Sequence, residues 1–244
     1  MNTLRPSTAL VIAHEQDCGG CEIETRLIER GVTVETHIVT PDVARPNDAT
    51  EFPDLSDYDL VLPMGSIRSL TNKAAIDSWI HRELDLLREA HGVGTPILGI
   101  CFGGQLLAEA LGGTVETAPE PEVGWYEIEP APGTGNPLGP GPWMEWHHDR
   151  FEPPPGAEAL AVTDGAVQLF RVGTTVGTQF HPEVNLAQVK LWLDGADDSY
   201  LAGLGVTREQ LVADSTANEA ANIEQCHRLV DWYLDDIVSP ARRA

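Results

Sequence analysis

The fold is decided by the stretch Pro96-Ile97-Leu98-Gly99-Ile100-Cys101-Phe102-Gly103-Gly104-Gln105. A short apolar run bounded by turn residues predicts a buried strand over residues 96–100. The glycines that follow predict a sharp turn into a helix over residues 104–112, because a side chain there would hinder close approach of the backbone. Cys101 is therefore expected where a strand meets a helix, the position of the nucleophile in a strand-turn-helix elbow.

The same alternation of short apolar runs with amphipathic segments extends towards the N-terminus. It predicts strands and helices in turn at residues 9–13 (strand), 21–30 (helix), 32–39 (strand), 59–62 (strand) and 72–90 (helix). Because strand-helix-strand crossovers are right-handed and join parallel strands, the strands share one sheet with their carboxyl ends on one edge. Ligands bind at that edge in open α/β sheets, so we expect the functional site there.

After Gly113, Gly and Pro become frequent, and residues 131–142 are expected to form a long loop. Short strands are predicted at residues 125–129, 159–163, 167–171 and 175–179, where they need a helix-covered sheet to bury against. The tail from about residue 207 to 238 has a helical apolar pattern. We expect residues 1–244 to form a single domain, with a C-terminal helical extension over about residues 199–244.

The charge balance disfavours one class of partner. The chain has 38 Asp+Glu against 15 Lys+Arg, a formal net charge of −23, whereas a protein that binds nucleic acid needs clustered Lys and Arg. We therefore expect no nucleic-acid partner. We also expect no membrane association, because no apolar run approaches the roughly 20 residues of a spanning helix. The apolar run 9–13 is too short for a signal-peptide core, and a cytoplasmic location is expected.

Cys101 has two interpretations when it is taken alone. At a helix N-terminus its thiol faces the positive end of the helix dipole, which stabilises a reactive thiolate. A structural cysteine buried beside a tight turn is the alternative, since free cysteines are often buried.

The segment Gln179-Phe180-His181-Pro182-Glu183 favours the first interpretation. A cysteine nucleophile needs a base, and the base needs a third group that fixes its tautomer. On an extended segment residues i and i+2 point the same way, so Glu183 can reach one nitrogen of His181 while the other faces the thiol.

Two further clusters could suggest metal or redox chemistry. Cys18-Gly19-Gly20-Cys21 is a CxxC with His14 upstream, but it lacks a second ligand pair at zinc-finger spacing. His147-His148-Asp149 also looks like a ligand cluster in isolation. The four cysteines are too sparse for a disulfide framework, so reduced thiols are expected, and we predict neither a metal nor another cofactor.

Together, Gly99 to Gln105 and His181-Pro182-Glu183 resemble the motifs of the class I, triad-type glutamine amidotransferase family. The resemblance covers most of residues 9–190. It includes Trp143 to Asp149, similar to the Ser-His-x-Asp loop of the family, and Glu122-Val123-Gly124-Trp125, similar to the segment after the elbow helix. Within the family, the chain looks most like stand-alone relatives of the glutaminase domain of GMP synthetase. The implied fold is a three-layer α/β/α sandwich with a mostly parallel central sheet, of flavodoxin-like type.

The resemblance implies that Cys101, His181 and Glu183 form the catalytic triad of a glutaminase. It places the oxyanion hole at the backbone N–H groups of Phe102 and Gly65. Here the chain departs from the family, because Met64-Gly65-Ser66 stands where the family has Gly-Gly-Pro. Gln105 and His147 are implied as contacts to the substrate.

The implied reaction is hydrolysis of the side-chain amide of glutamine through a γ-glutamyl thioester on Cys101, with ammonia released for an acceptor that the sequence does not name. No ATP-binding P-loop is visible, so a synthetase subunit is a possible partner. A γ-glutamyl peptidase acting on γ-glutamyl peptides or conjugates is an alternative, because it would form the same thioester. A non-catalytic binding or regulatory subunit is a second alternative.

Overall fold

An eight-stranded sheet runs through the centre of the protein, whose computed structural model describes residues 6–134, 137–139 and 141–241. The strands in these residues are β1 (Thr8–Ala13), β2 (Thr33–Ile38), β3 (Leu60–Pro63), β4 (Ile97–Ile100), β5 (Thr114–Glu127), β6 (Glu129–Pro130), β7 (Pro142–Glu152), β8 (Glu158–Val162), β9 (Val167–Val172) and β10 (Thr175–Thr178). The α-helices are α1 (Cys21–Glu29), α2 (Ile80–Gly92), α3 (Phe102–Ala110), α4 (Leu186–Gly195), α5 (Asp198–Gly203), α6 (Arg208–Trp232) and α7 (Ser239–Ala241). Short 3₁₀ segments lie at Leu55–Asp57 and Leu70–Ile76, and a π-helical segment lies at Tyr233–Val238.

The central sheet has the strand order β2-β1-β3-β4-β10-β9-β8-β6. The first five strands are parallel, and β9, β8 and β6 continue the sheet antiparallel. The sheet is therefore mixed, with its parallel strands in the centre, and the predicted α/β class is confirmed. The carboxyl ends of β1, β3, β4 and β10 meet at one edge, where β4 leads directly into Cys101.

Helices cover both faces of this sheet and create the three layers. One face packs against α1 and α6 through residues such as Ile23, Leu27, Leu229 and Val230. The other face packs against α2 and α3 through residues that are equally buried. The alternate residues of β1 divide between the two cores, as expected for a strand that is covered on both sides.

A separate two-stranded sheet corrects the sequence interpretation of the middle of the chain. Residues 125–127 belong to β5, which pairs antiparallel with β7. Of the predicted strand 125–129, only Glu129 joins the central sheet, as part of β6. Two prolines in the middle of β5, Pro119 and Pro121, hid this strand, because Pro is normally depleted from paired strands. The β5-β7 sheet packs against α4, α5 and α6 through a third apolar cluster.

Helix boundaries differ in two further places. The predicted helix 72–90 is a 3₁₀ segment followed by α2, and the elbow helix begins at Phe102 rather than at residue 104. The helical tail is confirmed by α6 and the segment after it, which lie in the helical layer against α1.

Within the predicted loop 131–142, residues 135, 136 and 140 lie outside the described residues, and Pro142 already begins β7. Whether residues 1–244 form one domain stays a prediction. In the part of the chain that the structure describes, every helix is too short or too polar to cross a membrane.

Candidate active site

Cys101 occupies a strained turn between β4 and α3. Its backbone has φ +51° and ψ −105°, whereas a non-glycine residue rarely adopts a positive φ. The Cys101 N–H donates to the Thr178 carbonyl at 2.9 Å, and its carbonyl accepts from Gln105 N–H at 2.9 Å. Strain that is held by surrounding hydrogen bonds is typical of functional positions, and it places the thiol at the N-terminus of α3.

Two glycines allow α3 to begin so close to the sheet. A Cβ on Gly103 would lie 1.9 Å from the Pro63 carbonyl oxygen, and one on Gly104 would lie 2.3 Å from the Thr178 carbonyl oxygen. The first turn of α3 thus rests directly on the ends of β3 and β10. This contact explains why the elbow requires glycine at these positions.

His181 and Glu183 are paired beside the thiol. His181 Nδ1 lies 2.7 Å from Glu183 Oε1, and both side chains are almost completely buried. Asn222 of α6 donates to the carbonyls of Pro182 and Val184, at 3.2 and 2.8 Å, and so holds the segment that carries Glu183. The predicted i, i+2 pairing of His181 with Glu183 is observed.

The environment of His181 favours its protonated form. Burial by itself lowers the pKa of His181, but Glu183 and the neighbouring Cys101 outweigh it, and the pKa lies well above its usual range. An imidazolium beside the sulfur is the arrangement that a histidine partner of a cysteine nucleophile requires.

Gly65 lies beside the thiol, in the turn that follows β3. A Cβ on Gly65 would lie 3.1 Å from His181 Cε1 and 4.0 Å from Cys101 Cβ, so this glycine borders both side chains. Neither the Gly65 N–H nor the Phe102 N–H donates to any group in the residues that the structure describes. Two backbone donors beside the thiol are the components of an oxyanion hole.

The turn that carries Gly65 is anchored from several directions. The Met64 carbonyl accepts from Gly103 N–H at 3.1 Å, and the Gly65 carbonyl accepts from His14 Nδ1 at 3.1 Å. Ser66 Oγ donates to Glu15 Oε1 at 2.9 Å. The Met64-Gly65-Ser66 departure from the family pattern is thus accompanied by contacts that hold the turn.

Three further polar residues lie at this edge, and the sequence prediction gave none of them a role in the catalytic site. His14 and Glu15 follow β1 directly, and Gln179 follows β10, with its amide nitrogen 3.7 Å from Cys101 Sγ. The signal was available, because polar residues that immediately follow the strands of a parallel sheet lie at the ligand-binding edge.

Gln105 and His147 are both buried near the site, and each is hydrogen-bonded within the protein. The Gln105 amide donates to the Asp149 carbonyl at 3.0 Å and lies 3.4 Å from Gln179 Oε1. His147 Nδ1 donates to the Asp149 carbonyl at 3.0 Å. Their contact with substrate stays a prediction.

The residues best placed to hold a metal are Glu122, Glu145 and His147, whose ligand atoms all lie within 4.8 Å of one another. His147 Nε2 is 3.0 Å from Glu122 Oε2 and 3.3 Å from Glu145 Oε2. Burial alone lowers the pKa of His147, but the two carboxylates raise it to about 10, while burial raises the pKa of Glu145 to about 7. The His147 imidazolium can compensate the charge of one of these two carboxylates, and the absence of a metal here stays a prediction.

The thiols of the CxxC segment are poorly suited to chemistry. Cys18 and Cys21 are free, and burial together with nearby carboxylates raises the pKa of Cys18 well above its usual range and that of Cys21 to about 12. Cys18 Sγ donates to Glu15 Oε2 and Cys21 Sγ to Gln188 Oε1. Both environments favour the protonated thiol, which is a weak nucleophile and metal ligand.

Comparisons with known proteins identify the family of the chain. Residues 17–191 match the family model described as glutamine amidotransferase class-I. The chain belongs to the class I glutamine amidotransferase family.

Within that family, the chain is 43% identical over 105 residues to the glutamine-hydrolysing GMP synthase of Aeropyrum pernix, a match that covers 39% of this chain and 20% of that enzyme. The matched segment thus spans about a fifth of the length of the relative. The fold resembles a glutamine amidotransferase from Thermotoga maritima, with a TM-score of 0.80, 24% identity and coverage of 93% of this chain and 98% of that one. It also resembles a glutamine amidotransferase from Methylobacillus flagellatus, with a TM-score of 0.78, 20% identity and coverage of 96% of both chains.

Proposed function

We propose that the protein hydrolyses the side-chain amide of glutamine and releases ammonia, with Cys101 as nucleophile. The observation that carries this proposal is a strained elbow cysteine that lies beside a buried His181–Glu183 pair and beside Gly65. Membership of the amidotransferase family supports glutamine as the substrate.

In the first half of the reaction, the Cys101 thiolate attacks the amide carbon of glutamine. The carbonyl oxygen becomes an oxyanion, which accepts hydrogen bonds from the N–H groups of Gly65 and Phe102. His181 transfers its proton to the leaving nitrogen, the C–N bond breaks, and ammonia departs. Each oxyanion donor is typically worth about 3 kcal/mol of transition-state stabilisation.

In the second half, neutral His181 accepts a proton from water, and the resulting hydroxide attacks the thioester. The C–S bond breaks, glutamate leaves, and the thiolate and imidazolium are restored. Glu183 keeps Nδ1 of His181 protonated and stabilises the imidazolium in both halves. Gln105 and His147 are proposed to shape the end of the pocket that receives the amino-acid part of glutamine.

The ammonia acceptor is proposed to be activated by a synthetase partner. The matched relative is a glutamine-hydrolysing GMP synthase, and the 105-residue segment of this chain that matches it covers 20% of that enzyme. The name of the relative supports the general arrangement but does not identify the acceptor of this chain.

The test is ammonia release from glutamine by the purified protein, with and without any protein that copurifies. Cys101→Ala should abolish release and Cys21→Ala, a matched cysteine control, should retain it. Turnover of γ-glutamyl dipeptides but not of glutamine would assign a γ-glutamyl peptidase. Absence of both activities, without a trappable thioester on Cys101, would favour a binding or regulatory subunit.

A further inference from the structure

We propose that His14, held by Glu83, is a positioning residue that fixes the peptide group after Gly65 so that the oxyanion hole stays open. This inference rests on the proposed glutaminase function. It concerns a pair outside the triad, whose members lie at the end of β1 and in α2.

The pair is completely buried and connects to the oxyanion turn through one hydrogen bond. His14 and Glu83 are both 0% exposed. His14 Nδ1 lies 3.1 Å from the Gly65 carbonyl oxygen, and His14 Nε2 lies 3.1 and 3.2 Å from the two Glu83 oxygens. A carboxylate and a carbonyl both accept hydrogen bonds, so the ring donates from both nitrogens and carries a positive charge. The chain thus buries an ion pair here, which is costly unless its geometry is well satisfied.

Aromatic rings hold the imidazole in this orientation. Its centroid is 5.7 Å from the stacked ring of Trp79 and 4.8 Å from the ring of Phe102, which meets it edge-on. Phe102 supplies the second proposed oxyanion donor. His14 therefore contacts both halves of the proposed oxyanion hole, one through a hydrogen bond and the other through ring packing.

The Gly65 peptide needs such support because glycine lacks the steric restriction of a side chain. The preceding peptide is fixed by the bond from Gly103 N–H to the Met64 carbonyl. Since a trans peptide directs N–H opposite to C=O, that bond turns the Gly65 N–H away from Gly103. Without a further contact, the Gly65 carbonyl could still rotate about the ψ angle of Gly65. If it turned towards the thiol, its negative oxygen would repel the oxyanion. The bond from His14 prevents this rotation.

The experiment compares three substitutions of His14 in the full chain. The Nδ2 of Asn can replace the Nδ1 donor to Gly65, the Nε2 of Gln can replace only the Nε2 donor to Glu83, and Leu replaces neither. For ammonia release from glutamine, we expect His14→Leu and His14→Gln to lower kcat about 10- to 100-fold, less than deletion of a donor, with KM changed less than about twofold. His14→Asn should recover most of the loss.

A second measurement, the alkylation rate of Cys101, distinguishes a loss of positioning by His14 from a general disruption of the active site. Alkylation of Cys101 by iodoacetamide requires the thiolate but forms no oxyanion, so its rate should stay within about twofold of wild type in all three variants. His91→Leu is the matched control, because His91 bonds to Thr175 at the start of β10, away from the catalytic edge. This variant should leave kcat unchanged.

Three outcomes would overturn the inference: an unchanged kcat in His14→Leu, equal losses in the Asn and Gln variants, or alkylation that slows in parallel with kcat. Misfolding of all three variants, seen as loss of the cooperative thermal transition, would also refute it by assigning the pair a structural role. Failure of wild type to release ammonia would refute the proposed function itself and is read before any variant is made.

Discussion

The His181–Glu183 pair and the His14–Glu83 pair are both buried near Cys101, and they differ in how far apart their members lie in the chain. His181 and Glu183 are two residues apart on one extended segment, whereas His14 and Glu83 come from different elements. In both pairs, burial lowers the pKa of the histidine, and the neighbouring carboxylate contributes to a net rise. The same chemistry thus serves two tasks, because His181 faces a thiol and His14 faces a peptide carbonyl. The comparison shows that the task of a buried, protonated histidine depends on the group that its second ring nitrogen contacts.

The largest effect is expected when the first pair is broken. Glu183→Gln should lower kcat for ammonia release roughly a thousand- to ten-thousand-fold, because an amide cannot hold His181 as an imidazolium in the correct orientation. KM for glutamine should change little. Steady-state kinetics would test this, with Glu22→Gln as the control, because Glu22 contacts the same segment through Asn185 rather than through His181. A loss below about tenfold would contradict the role of Glu183.

The pH dependence of kcat should test the role of the His181–Glu183 pair in a second way. The raised pKa of His181 keeps its leaving-group proton available until pH rises through that value. Activity should therefore fall on the alkaline side, and removal of Glu183 lowers the His181 pKa. In Glu183→Gln, the alkaline limb of the kcat profile should move to lower pH by more than about one unit. An alkaline limb at the same pH in both proteins would show that another group controls it.

Breaking the second pair should have a smaller effect, and one that depends on His14. Glu83→Leu should lower kcat about tenfold, since the imidazole loses its anchor but keeps its bond to Gly65. If Glu83 acts only through His14, the Glu83→Leu/His14→Leu double variant should equal His14→Leu alone. Additive losses in this double-mutant cycle would show that Glu83 has a separate role.

The smallest effect is expected from the neighbouring anchor of the same turn. Ser66→Ala removes the hydrogen bond to Glu15 but leaves the Gly65 carbonyl bonded to His14. We expect kcat to fall about threefold, consistent with the modest net worth of one hydrogen bond. A loss as large as that of His14→Leu would mean that Ser66, rather than His14, fixes the turn. Ser56→Ala, on the surface 3₁₀ segment, is a suitable control.

Sequence reasoning reached the elbow and the triad because their signals are local. A strand, a glycine turn and a helix occupy adjacent residues around Cys101, and the i, i+2 spacing of His181 and Glu183 needs no knowledge of the rest of the fold. The β5-β7 sheet was missed for the opposite reason. Its prolines disguise a strand, and its pairing joins residues that are separated by the glycine- and proline-rich loop.

Residue patterns predict the elbow at Cys101, the parallel direction of the central strands and the edge of the sheet on which Cys101 lies. They do so because backbone periodicity and turn chemistry act over a few residues. Whether the turn at Met64-Gly65-Ser66 is held in place does not follow from the local sequence. In the sequence, Met64-Gly65-Ser66 departs from the family motif. In the structure, however, hydrogen bonds from this turn to His14, Glu15 and Gly103 hold it in place. Only the tertiary structure decides this, since a buried hydrogen bond between residues 14 and 65 depends on the packing of β1 beside β3 and has no signature in the local sequence.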